Sequence, residues 1–257
     1  MIERILCRVP MWYRMLVPGA RWRIPALKGK SIYLTFDDGP IPEVTPWVLD
    51  QLDELGIKAT FFCVADNVRR YPELFEEIRR RGHTVGNHTY HHIQGIFHST
   101  REYMRDVYDA HELIHSRYFR PPHGHLRFSQ NRELSHSFEI VMWDVVTRDY
   151  NAELSPETIV GYVKRYARNG SIIVFHDSLK AEKNMRVAMP EAVRWLQSEG
   201  YHFLRIGDAP RYIAWDEDRR RSWYGYKKSG ADFPASSNLL TKTLTMKNLT
   251  FSLQIYR

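Results

Sequence analysis

A chain of 257 residues, 43% of them hydrophobic, can bury one sizeable core, yet no apolar run is long enough to cross a bilayer as a helix. A formal net charge of +7 and a pI near 9.3 favour anionic partners through a field that salt screens, without naming one. Charge is the only argument for nucleic acid, and none is expected as a partner. With only two cysteines, Cys7 and Cys63, a disulfide framework and a cysteine zinc cluster are both excluded.

The opening segment, residues 1–29, mixes Trp12, Tyr13, Met15 and Leu16 with arginines. Glu3, Arg4, Arg8 and Arg14 interrupt every candidate apolar region, so a cleavable signal is not expected and the cytoplasm is the default location. Pro10 breaks any long surface helix, and packing against the domain is preferred over contact with a membrane surface.

From residue 30 onward, seven short apolar runs read as strands: Ile32 to Phe36, Ala59 to Val64, Thr84 to Gly86, Tyr118 to Arg120, Ile140 to Trp143, Ile172 to Phe175 and His202 to Leu204. Cys63 lies inside one of them and reads as core. Helix signals fill most gaps. Thr45-Pro46 opens a helix with Val48, Leu49, Leu52 and Leu55 on one face and Gly56 as its stop, and Pro72 to Gly82 repeats the scheme. Ser99 to Glu102 has capping-box spacing, and Ser155-Pro156-Glu157 starts a further helix that ends before Gly170. Alternating strands and helices predict an α/β fold with parallel strands, and seven units predict a closed or nearly closed (β/α) barrel. Residues 207–257 change texture and form a separate tail, in which LTMKNLTFSLQI could make a hairpin.

Ligand-type side chains fall at the predicted strand ends. Asp37-Asp38 follows the first strand, His88 and His92 the third, Arg120 ends the fourth, Asp144 and Asp149 follow the fifth, and His176-Asp177 the sixth. In a parallel barrel the carboxyl ends of the strands converge on one mouth. Two imidazoles four residues apart, with one carboxylate, make a three-ligand site for a divalent cation, Zn²⁺ first with Co²⁺ or Ni²⁺ also accepted. The second carboxylate of the Asp-Asp pair is then free to take a proton from water.

These residues sit in TFDDGP (35–40), HTYHH (88–92), RPPHG (120–124), WDVVTRDY (143–150) and IIVFHDS (172–178), and in that order they resemble the five motifs of the polysaccharide deacetylase (NodB-homology) family. The resemblance spans residues 30–206 and implies a distorted (β/α) barrel and a metal-dependent hydrolase that removes the acetyl group from N-acetylglucosamine-containing glycan. It assigns Asp37 as general base, Asp38, His88 and His92 as metal ligands, Arg120 as the partner of Asp37 and His176 as general acid. The oxyanion donor would be the His123 N–H, because Pro121 and Pro122 have none. Tyr150, Phe175 or Ile173 would wall the acetyl pocket. Val146 stands where an aspartate that tunes the histidine is expected, so Asp149, with Asp144 the weaker candidate, is expected to substitute. His123 replaces a common tyrosine at the rim. A hydrolase of a non-sugar carboxamide and a glycan binder without catalysis are the alternatives.

Two other patterns compete for attention. His111-Glu112-Leu113-Ile114-His115 matches the zinc-protease helix signature, but helix phase puts His111 at the edge of an apolar stripe and His115 towards solvent. Asn87-His88-Thr89 matches a glycosylation acceptor and is expected to be coincidence.

Overall fold

Strands form where the apolar runs predict them, and in the computed structural model, which describes residues 7–26 and 28–209, they build one parallel sheet. In chain order these are β1 (Lys30–Asp37), β2 (Thr60–Cys63), β3 (Thr84–Asn87), β4 (Tyr118–Phe119), β5 (Glu139–Ile140), β6 (Val145–Val146), β7 (Ser171–His176) and β8 (Tyr201–Phe203). The sheet runs β5-β4-β3-β2-β1-β7-β6. β1 is the axis, because β7 pairs with it from Ile32 to Asp37 on one side while the other side is shared by β8 at the base and β2 at the top. The seven expected strands are present, and β6 is an eighth. The run expected over Ile140 to Trp143 is strand only to Ile140.

The sheet curls into a distorted barrel whose free edges, β5 and β6, are not paired with each other. The opening segment spans the gap. Arg21 N–H donates to the Ile140 carbonyl at 2.8 Å, Met142 N–H donates to the Arg21 carbonyl at 2.8 Å, and Ile24 N–H donates to the Gly170 carbonyl at 2.8 Å. Gly170 must be glycine here, since its φ is +80° and a Cβ would lie 2.3 Å from the Ile24 carbonyl.

Strand alternation sorts side chains into two layers. Ile32, Leu34, Phe36, Phe61, Ile173 and Phe175 face outward into a core closed by helices. Among these are Thr45–Glu54, which buries Val48, Leu49 and Leu52, and Pro156–Tyr166, capped by the Ser155 hydroxyl accepting from Thr158 N–H. Glu182–Ser198, which carries Pro190 in its interior, completes that side. Tyr33, Phe62, Tyr118, Val141 and Ile172 face inward and fill the base of the barrel.

Helix Thr100–Ile114 begins with the full capping box expected from Ser99 and Glu102. His111 is buried on it with its ring 5.3 Å from Phe138, while His115 is exposed at the left-handed C-cap. The protease-like pattern is therefore split between core and solvent. No helix among the described residues is long and apolar enough to cross a membrane. The expected hairpin within residues 207–257 lies outside the described residues.

Candidate active site and metal centre

The parallel register of β1 and β7 sets Asp37 level with His176, and β3 ends at Asn87 immediately before His88. These carboxyl ends open onto one mouth, where Asp37, Asp38, His88, His92, Arg120, Asp149 and His176 come together.

Arg120 is the anchor. It is fully buried, and its guanidinium is held on every side: Nη1 donates to Asp37 Oδ1 at 2.6 Å and to Thr35 Oγ1 at 2.8 Å, Nε to the Val141 carbonyl at 3.1 Å, and Nη2 to the Met142 carbonyl at 3.1 Å. Its carbon also sits 4.1 Å from the centre of the Phe62 ring. A buried cation needs such complete pairing, since removing either member of a buried ion pair costs about 3–5 kcal/mol. The Asp37 carboxylate is thereby fixed through one oxygen.

Asp38 leaves the strand in a left-handed conformation, φ +88°. Its backbone is held by Asn67 Nδ2, which donates to the Asp38 carbonyl at 2.9 Å. The next residue, Gly39, donates its N–H to Asp177 Oδ1 at 3.1 Å, and Thr45 Oγ1 donates to Asp177 Oδ2 at 2.6 Å. Burial pushes the Asp177 carboxyl up to about 8, and the nearby Asp38 charge adds to that. A Cβ on residue 39 would lie 2.0 Å from the Asp177 carboxylate, so only glycine permits this support.

The Asp38 carboxylate faces two imidazoles, with Oδ1 3.2 Å from His92 Nε2 and 3.9 Å from His88 Nε2. One ligand atom from each of the three residues lies within 4.8 Å of the others. His88 Nδ1 is 2.7 Å from the Arg120 carbonyl, which can only accept, so the proton sits on Nδ1 and the Nε2 lone pair is presented to the cluster. Burial drives the His88 pKa down to about 4, keeping the ring neutral, as a metal ligand must be. For Asp38, burial pushes the carboxyl upward, but the His92 hydrogen bond and the favourable electrostatics of His176 and the two neighbouring imidazoles outweigh it and hold it well below the carboxylate range. A neutral, pre-oriented His88 and a second imidazole, His92, beside an ionised carboxylate fit a divalent cation.

On the other side of Asp37, His176 Nδ1 is 2.7 Å from Asp149 Oδ1, and His176 N–H donates to Asp149 Oδ2 at 2.8 Å. Burial by itself would lower the His176 pKa, but Asp149 first, then Asp38 and Asp37, raise it to about 9. Asn184 Nδ2 donates to the Asp149 carbonyl at 3.1 Å and secures that loop. Tyr150 stands edge-on to His176, ring centres 4.9 Å apart. His123 sits at the rim, its ring 5.1 Å from His92.

Strain collects at this mouth. Five of the six non-glycine residues with positive φ among the described residues are Asp38, Thr89, His92, His123 and Arg148. Each such conformation costs about 1–3 kcal/mol and persists only where surrounding bonds hold it.

Two expectations need correcting. Phe175 and Ile173 are buried in the outer core, on the opposite side of β7 from His176, so neither can wall a substrate pocket. Asp144 is not at the mouth: it accepts from Ser171 Oγ at 2.8 Å at the amino end of β7, and pairs with Arg14, Arg168 and Arg8. The chain has yet to climb through β6, which carries it from Asp144 at the base to Asp149 at the mouth. Asn87 is fully buried, its Nδ2 donating to the Val107 carbonyl and its Oδ1 accepting from Thr89 N–H, so no glycan can be attached there. His91 is exposed and paired with Asp106, apart from the cluster. Thr35, Asn67, Asn184 and the supporting role of Asp177 were not legible as site features, because each acts through a partner distant in sequence.

Among the described residues the Asp38–His88–His92 group is the one set of three that could hold a metal ion. The sequence pattern of the polysaccharide deacetylase family matches residues 25–138. A peptidoglycan-N-acetylglucosamine deacetylase of Bacillus cereus is 31% identical over 199 residues, which cover 74% of this chain and 92% of that protein. A chitooligosaccharide deacetylase of Sinorhizobium fredii is 36% identical over 159 residues, covering 57% of this chain and 72% of that one. The crystal structure of a peptidoglycan N-acetylglucosamine deacetylase aligns with a TM-score of 0.72 at 28% identity, over 78% of this chain and 96% of that chain.

Proposed function

The chain belongs to the polysaccharide deacetylase family, and from that membership and the chemistry of the mouth we propose that it hydrolyses the acetamido group of N-acetylglucosamine-containing glycan. The observation that carries the proposal is a base and an acid, Asp37 and His176, level on neighbouring strands beside a three-ligand cluster.

Asp38, His88 and His92 would hold the family's divalent cation, Zn²⁺ in the first place and Co²⁺ or Ni²⁺ by affinity, and the ion would supply Lewis-acid polarisation and a more acidic water. Asp37 has one oxygen committed to Arg120, so its other oxygen takes the proton of the attacking water. His176 is held through Nδ1, which leaves Nε2 to carry the proton to the departing amine. Asp149 keeps that ring in one tautomer and protonated, as an acid requires. The His123 N–H is the oxyanion donor, since Pro121 and Pro122 have no N–H to give. Tyr150 walls the side of the mouth next to His176, where the acetyl methyl would lie.

The test is acetate release from N-acetylglucosamine oligomers and, in parallel, from small carboxamides, after chelation and after readdition of Zn²⁺ or Co²⁺. Metal-dependent release from the oligomers, reduced on the order of 10³-fold or more in Asp37→Asn, is expected. Release only from small amides would move the substrate class away from sugars. An Asp37→Asn protein as active as the parent would remove the catalytic assignment.

A further inference from the structure

Large apolar side chains at the surface are concentrated on one flank of the mouth. Met11, Trp12, Met15 and Leu16, on and just after the short helix Met11–Arg14, Phe97, at the end of the 3-10 turn Gly95–Phe97 after β3, and Phe128, at the start of the helix Phe128–Ser137 after β4, are each between 56% and 73% exposed. The two groups form one band. The loop after β4 is tied to the opening segment by Tyr13 Oη donating to the Gly124 carbonyl at 2.9 Å and Asn131 Nδ2 donating to the Pro18 carbonyl at 3.2 Å. Arg127 Nη2 donates to the Ile96 carbonyl at 2.8 Å and joins that loop to Phe97. The opposite side of the opening segment is committed to the fold, with Val17 and Trp22 in the core and Val9 and Tyr13 packed against it. Exposure of the remaining side is therefore not a consequence of loose attachment.

The charge of this flank is predominantly positive. Residues 7–26 contain four arginines and no Asp or Glu, and residues 116–132 likewise contain four arginines and no Asp or Glu. Arg21 and Arg117 pair with Glu139, and Arg120 with Asp37. Arg8 and Arg14 share the single carboxylate of Asp144 with Arg168, three cations on one anion. Arg23 and Arg127 are exposed, and Arg132, also exposed, pairs with Glu133 at 3.6 Å. Trp, Met, Leu and Phe interleaved with arginine suit an interface that is apolar in its depth and anionic at its surface.

We propose that this band is a docking surface for an anionic lipid bilayer, and that it holds the mouth beside the membrane surface. Trp12, Met15, Phe97 and Phe128 enter the headgroup region while the arginines face lipid phosphates. A protein partner is the less fitting occupant, because the exposed apolar side chains are interleaved with arginines on a predominantly basic surface, which matches an anionic headgroup layer over an apolar interior.

The experiment is flotation of the full chain with vesicles of phosphatidylcholine alone and of phosphatidylcholine with about one-third phosphatidylglycerol. Partitioning onto the anionic vesicles is expected, reduced on the order of tenfold in Trp12→Ser/Met15→Ser and again in Phe97→Ser/Phe128→Ser. Trp12→Ser/Met15→Ser should keep its hydrolytic rate on soluble oligomers, so vesicle binding is read independently of the proposed activity. Absence of partitioning, or equal partitioning by both variants and the parent, would overturn the proposal. So would binding lost only when Arg219, Arg220 and Arg221 are replaced, which would assign the membrane to the tail. A dimer that dissociates in Trp12→Ser/Met15→Ser, with no vesicle binding, would assign the band to a second copy. Should one double variant fail to fold, the other decides.

Discussion

Asp149 takes the position of control over His176 through two hydrogen bonds, one to the ring and one to the backbone. Because the carboxylate lifts the ring pKa to about 9, the acid stays protonated through neutral pH and its alkaline limit lies near that value. In Asp149→Asn the ring loses its charged partner, so the alkaline limb of the pH–rate profile should move to lower pH and kcat should fall on the order of 10²-fold or more. A profile that keeps its alkaline limb would show that the carboxylate does not set the acid's protonation. The linked stability has a definite sign: a histidine raised above its ordinary 6.5 contributes fully below that value, and the contribution is lost as pH rises through about 9. Much of this was legible, since Asp37, Asp38, His88, His92 and His176 are recognisable from residue type and order alone. Asp149 and Asp144 were both candidates from sequence, and only the climb of β6 separated them. Phe175 was misjudged because strand alternation assigns alternate residues to opposite faces, and the face that meets the helices is a tertiary fact.

At the scale of elements, two short segments hold the barrel in shape. His83, just before β3, accepts from the Ala59 N–H through Nδ1 at 3.1 Å and so links β3 to the entry of β2. Burial first, then the cations of Lys58, Arg81 and Arg205, lower its pKa to about 4, so it is neutral in the folded protein. Between pH 6.5 and about 4 the unfolded chain binds a proton that the folded one refuses, and stability should fall as pH falls through that window. Urea unfolding at several pH values should show this slope flattened in His83→Gln; an unchanged slope would assign the acid sensitivity elsewhere. The second segment is the seam where the opening strand meets Gly170. A methyl group there would collide with the Ile24 carbonyl and Pro25 nitrogen at 2.3 Å in a left-handed backbone, so Gly170→Ala should destabilise by about 2–4 kcal/mol. Limited proteolysis should then cut within residues 7–24 first, and cleavage elsewhere would mean that the seam is not what fails. Helix starts such as Ser99 and Ser155 are readable because caps are local, whereas β6, two residues long, is too short to carry a period.

Across the whole molecule, the chain places three ligand atoms from two different strand ends around one point, and binding a cation there adds stability only to the folded state. Addition of Zn²⁺ to chelated protein should stabilise the fold by RT ln(1 + [L]/Kd) and so raise the melting temperature by several degrees, and His88→Ala with His92→Ala should abolish the increase. An equal rise in the double variant would place the ion elsewhere. The sequence by itself determined the chemistry: which residue types are present, in what order, and that alternating strands and helices would bring strand ends together. It could do so because periodicity, caps and ligand spacing are properties of neighbouring residues. The tertiary structure alone decided that the opening segment bridges β5 and β7, that Asp144 serves the base rather than the mouth, that Phe175 faces the helices, and that Arg120 is gripped by four acceptors, two on β1 and two just after β5. Each of these depends on strand register and on which face of the sheet is covered, and those are fixed only when distant segments pack.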